Sequence, residues 1–217
     1  MTDARQQISS VRRTLGRRVL EAGEARVSTI SQVYDTDLDD LWEVVTRPER
    51  LARWFLPVEG ELKEGGHYQI EGNASGTVSR CDRPHGFAAT WEFGDMVSWI
   101  EVRLTPAGDG RTRFELEHVA HVADELWDQF GPGATGLGWD LSLHGLARHL
   151  ADPGAARPGP EATAAWMASA EGRSLLRLSS DAWSEADIAD GADPAAARAR
   201  ADSVYNAYTG AAPEDPA

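Results

Sequence analysis

At 217 residues and 41% hydrophobic side chains, the chain is long enough for one full domain with an appendage. A formal charge of −14 repels phosphate backbones and anionic headgroups, so neither nucleic acid nor a membrane surface is an expected partner. Cys81 is the only cysteine, which excludes an intrachain disulfide; with no apolar run of spanning length and no secretory pattern, a cytoplasmic location is expected.

Residues 1–24 are locally basic, and Ile8, Val11, Leu15 and Val19 recur every three or four residues. That spacing predicts an amphipathic helix as an N-terminal extension. Residues 25–34 alternate and are rich in β-branched side chains, as in a strand. A helix over 35–46 follows, with Asp35, Thr36 or Asp37 as its cap and Leu38, Leu41, Trp42 and Val45 on its buried face. Pro48 opens a second short helix over 48–55, whose apolar side carries Leu51, Trp54 and Phe55.

Six short strands are then predicted, over 58–62, 67–71, 77–81, 87–93, 97–104 and 111–121, with glycine-rich turns among them. Phe87, Ala89, Trp91 and Phe93 share one strand face, as do Tyr68 and Ile70, and Phe114, Leu116 and His118. The pattern is an antiparallel meander with one dry face. After a short helix over 123–130 comes the stretch 131–150, glycine-rich in its first half and helical in its second, with Trp139, Leu143, Leu146 and Leu150 on one face. The sheet is expected to wrap this helix and leave a cavity. Leu137 and Leu141 sit on the helix's back, which calls for a second cover: either the later helices or a second copy in a homodimer. Residues 153–160 read as a linker; helices follow over 161–171, 174–189 and 194–209, the last capped by Asp193 and opened by Pro194.

Signatures of chemistry are weak. Gly131, Gly133 and Gly136 spell G-x-G-x-x-G, but no βαβ unit surrounds them, so the glycines are read as allowing a sharp turn and a close approach of the helix to the sheet. Neither a metal-ligand spacing nor a nucleophile motif is present, and no metal or cofactor is expected. His118 paired with Tyr68 is the one candidate acid–base couple, and a binding role is favoured over an enzymatic one.

The phrases VYDTDLDDLWEVVTRPERLARWFLP, GTVSRCDRPHGFAATWEF, FELEHV and GWDLSLHGL resemble the activator of Hsp90 ATPase homologue 1-like (AHSA1-like) family. This is a branch of the START-like, Bet v 1-like (SRPBCC) superfamily, and the resemblance covers residues 25–151. The tail, with GADPAAARARAD and YTG, looks like an extension found in an actinobacterial branch. The resemblance implies an α+β helix-grip fold: an antiparallel curved sheet around a long C-terminal helix. The expected division is an N-terminal helical extension at 1–24, the helix-grip domain at 25–151, and a linker with an all-helical extension at 152–217. It implies three roles: binding of a small apolar or aromatic ligand, partnership with an Hsp90-type chaperone, or cyclase- or hydrolase-like catalysis in the same cavity. The expected lining is Trp54, Phe55, Tyr68, Ile70, Trp91, Phe93, Phe114, Leu116, His118, Trp139 and Leu143.

Overall fold

A computed structural model describes residues 3–210. Helix α1 (Ala4–Ser10) leads into a hairpin of β1 (Arg12–Leu20) and β2 (Gly23–Tyr34); helices α2 (Leu38–Thr46) and α3 (Pro48–Leu51) follow. Strands β3 (Val58–Gly60), β4 (His67–Ile70), β5 (Ser75–Asp82), β6 (Gly86–Phe93), β7 (Met96–Pro106) and β8 (Thr112–Ala120) complete one sheet. Its order is β1-β2-β8-β7-β6-β5-β4-β3, with every neighbouring pair antiparallel. Helices α4 (Asp124–Phe130), α5 (Gly133–Ala151), α6 (Pro160–Ala168), α7 (Ala170–Ala189) and α8 (Pro194–Thr209) close the described chain. Among the described residues, no helix is long and apolar enough to cross a membrane.

The helix expected through residues 1–24 is corrected. Only Ala4–Ser10 is helical; Arg12–Leu20 is a strand paired with β2, from Arg12 opposite Ser31 to Leu20 opposite Gly23. Gly16 weakens a helix, and a long partner strand supplies hydrogen bonds that helical spacing does not reveal. Val19, read as part of a docked face, is 82% exposed near the hairpin tip. The boundary expected at residue 24 therefore falls inside a hairpin.

Two further boundaries move. The helix from Pro48 ends at Leu51, and the chain reaches Phe55 through turns, with Phe55 N–H donating to the Leu51 carbonyl at 2.8 Å. The break between α6 and α7 lies at Ser169, not Gly172: Ser169 Oγ accepts from the Gly172 N–H at 3.2 Å and caps α7. Other caps fall as read. Asp37 accepts from Asp40 N–H at 2.8 Å, and Asp193 accepts from the N–H groups of Ala195 and Ala196.

Helix α5 is covered on both sides. Its front packs Leu143 and Leu146 with Ile30 and Tyr34 of β2, Phe114 and Leu116 of β8, and Leu41, Val44 and Val45 of α2. Its back buries Leu137 against Leu176 and Val204, and Leu141 against Leu175. The later helices thus supply the second cover. Gly136 explains the close approach: a Cβ there would lie 2.3 Å from the Trp183 ring of α7. The glycine serves contact with α7, not with the sheet as expected.

A buried ion pair fastens the two layers. Arg13 of β1 grips Asp140 of α5 through Nε (3.0 Å) and Nη2 (2.5 Å). Asp140, 1% exposed, also accepts from Ser179 Oγ at 2.6 Å and Trp183 Nε1 at 2.9 Å. Four donors on one carboxylate, from β1 and α7, compensate the cost of burying it.

Candidate functional site

The sheet's dry face is built from cross-strand rows. Ile30, Leu116, Val102 and Phe87 stand side by side on β2, β8, β7 and β6. His118, Ile100, Ala89 and Val78 form the next row, across β8, β7, β6 and β5. Side chains alternate along each strand, so these rows point one way, toward α5 and the segment after α3. Between sheet and helix they leave a cavity of about 100 Å³.

Nine expected residues line it: Trp54, Phe55, Tyr68, Ile70, Trp91, Phe114, Leu116, Trp139 and Leu143. The rings of Trp91 and Trp139 meet edge-on, with centroids 5.1 Å apart, at one side of the space. Leu51, Val58, Val78, Ile100, Val102 and Ser142 also line it. The strand members among them follow from the alternation. Ser142 had no such signal; its hydroxyl donates to the Gly138 carbonyl at 2.9 Å, so it presents little free polarity to the void.

Two expectations are corrected. Phe93 is not in the wall: it is 52% exposed at the β6–β7 hairpin, beside exposed Met96 and Val97. It keeps the phase of Trp91, but its strand ends there, where the helix no longer covers it. His118 lies behind the wall, not in it. Its Nδ1 accepts from Trp139 Nε1 at 3.2 Å, and its Nε2 lies 2.8 Å from Ser98 Oγ. With Nδ1 accepting, the neutral ring carries its proton on Nε2 and donates it to Ser98, which in turn donates to the Trp91 carbonyl at 3.1 Å. Burial lowers the His118 pKa to about 4, so this neutral form is the one present near pH 7.

The expected His118–Tyr68 couple does not form. Tyr68 donates its hydroxyl proton to the Thr90 carbonyl at 2.5 Å, and burial followed by nearby Glu92 raises its pKa. Nor is Ser98 an activated nucleophile, because His118 donates to it and leaves no free base. Both polar groups hold tryptophans and strands in place around an apolar space. Among the described residues, no three His, Cys, Asp or Glu side chains are grouped to hold a metal ion.

An eight-stranded curved antiparallel sheet closed over a long helix, with a void between them, defines the helix-grip class of α+β proteins. The family model of the activator of Hsp90 ATPase homolog 1-like proteins matches residues 35–151, and the chain belongs to that family. The crystal structure of CalU16 from Micromonospora echinospora is 31% identical with a TM-score of 0.62, over 82% of this chain and 96% of that one. Its solution structure gives 32% and 0.64, over 84% and 97%. Those shares exceed what residues 1–151 alone can supply, so the likeness reaches into the C-terminal helices. MLL2253 from Mesorhizobium loti, 18% identical with a TM-score of 0.53 over 60% of this chain and 99% of that one, shares the fold. No curated protein matches the chain.

Proposed function

We propose that the protein binds a small apolar or aromatic molecule in the cavity between the sheet and α5. The observation that carries this reading is the void itself. Protein interiors pack to crystal-like density, and unfilled apolar space costs stability. Here such space is kept at the centre of the sheet–helix interface, ringed by Trp54, Trp91 and Trp139. Its wall is almost wholly apolar, so affinity would come from removing ligand and wall surface from water. An apolar cavity of roughly 150 Å³ accepts benzene, so at about 100 Å³ this space takes a single ring only if the Trp54–Phe55 segment shifts outward. The His118–Ser98 chain supports binding over turnover, because its protons are committed to structure.

Tryptophan quenching and native mass spectrometry with indole, naphthalene and toluene test this. Saturable quenching, blunted in Trp91→Leu, is the expected result. Absence of binding to every apolar probe, with no gain in melting temperature, overturns it. A changed ATPase rate of an Hsp90-type chaperone in that same circumstance would assign the partner role that the family's name carries.

A further inference from the structure

Where the cavity wall ends at Trp54, that residue also borders a polar cleft of about 340 Å³. Arg53, from the turn after α3, Arg148, from the last turn of α5, and Arg157, from the segment beyond it, converge on this cleft. Arg47, Arg50, Arg80 and Arg103 each hold a carboxylate. The three cleft arginines hold none among the described residues: Arg53 donates to the Pro153 carbonyl at 3.1 Å, and the local acid, Asp152, accepts from Gly154 N–H at 3.2 Å. In a chain of net charge −14, three guanidiniums around a single carboxylate, Asp152, leave an excess of positive charge at one spot.

His149 points the same way. It lines the cleft, is only 4% exposed, and neither ring nitrogen has a hydrogen-bond partner among the described residues. An unmet buried donor costs stability, and a bound acceptor would remove that cost. Burial, then Arg50 and Arg53, lowers the His149 pKa, so it offers a neutral N–H. The end of α5 favours a cation nearby and accounts for Arg148 alone. It does not account for Arg53 and Arg157 arriving from other segments.

A third cleft of about 290 Å³ borders both spaces, with Trp54 in the wall of all three. It shares Trp54, Phe55 and Ser142 with the cavity and Arg148 and Arg157 with the polar cleft. We propose that the ligand is an amphiphile bearing one carboxylate, its apolar body in the cavity and its carboxylate in the Arg53–Arg148–Arg157 cleft. This rests on the apolar-ligand reading above. Three guanidiniums less Asp152 and the helix end's half-charge leave one to two positive charges, enough to hold an anionic group. The planar guanidinium fork also matches a carboxylate's two oxygens.

The test uses the full chain with 3-phenylpropanoate and 5-phenylpentanoate against the corresponding alcohols, by calorimetry. At least one carboxylate is expected to bind about tenfold or more tightly than its alcohol, with the preference shrinking as salt rises. The double variant Arg148→Ala/Arg157→Ala should lose that preference while keeping the alcohol's affinity and its thermal melt. Equal affinities in the unaltered protein, or a preference that survives the double variant, overturn the proposal while leaving the cavity reading intact. No binding of either class fells both.

Discussion

The two faces of α5 solve the same packing problem in opposite ways. The back face is closed: Gly136 gives up its side chain so that Trp183 can sit on the backbone, and Asp140 is held by donors from two directions. The front face has large aromatics in plenty yet leaves space among them. A chain able to seat a tryptophan against a glycine on one side is not short of means to fill a gap on the other. The difference teaches that dense packing marks the part of this molecule that holds shape, while the proposed binding function falls to the part left open.

The sharpest way to break that contrast is Asp140→Ala. It strands the Arg13 charge in a buried place and removes the acceptor of Ser179 and Trp183, so a loss of about 3–5 kcal/mol is expected. Chemical denaturation measures it, and limited proteolysis should show α7 and α8 cut first. Replacing both partners together, Arg13→Met with Asp140→Leu, should cost much less; an equal cost would show that the pair matters for shape and not for charge.

Acid probes both faces at once. His118, behind the cavity, and His144, stacked on Trp166 of α6 on the outer side, both have pKa values lowered to about 4, chiefly by burial. Unfolded, each titrates near its ordinary value of about 6.5. Above that value each is neutral in both states and its contribution is complete. As pH falls from about 6.5 toward 4 the unfolded chain takes up protons that the folded chain refuses, so stability drops by up to about 3 kcal/mol per residue and then levels. Denaturation midpoints across pH 7–4 should follow this slope, and His118→Gln or His144→Gln should each flatten it. A flat profile in the unaltered protein contradicts the burial of both rings.

The smallest effects come from adding atoms to each face. Gly136→Ala pushes a methyl group into the Trp183 ring and should cost about 1–3 kcal/mol. Ala89→Val adds two carbons beside the void and should cost less than about 1 kcal/mol, or stabilise, while weakening uptake of aromatic probes. Equal penalties for the two would erase the distinction between closed and open faces.

Much of this contrast was legible in the chain. Alternation along β6, β7 and β8 marked the dry face, and helical spacing marked both sides of α5, because period-two and 3.6-residue patterns are direct imprints of burial. Phe93 was misplaced because alternation records which way a residue points and not where its cover ends. His118 pointed correctly but was occupied by Trp139 and Ser98, partners 21 and 20 residues away that no local pattern pairs. The strand at 12–20 escaped because its apolar residues happen to fit a helical spacing while its stability comes from β2. Arg13 with Asp140 was invisible for a simpler reason: 127 residues separate them, and a lone charge in an apolar run gives no hint of its counter-charge.

That last pairing has a bearing on how such a chain can be recombined. The helical tail is not a detachable accessory, because its fastening points are distributed: a guanidinium on the first strand, a carboxylate and a missing side chain on the central rod, an indole and a hydroxyl on the tail. Grafting residues 160–209 onto another protein of this fold would leave Trp183 and Ser179 without their seats unless Arg13, Gly136 and Asp140 travelled with them.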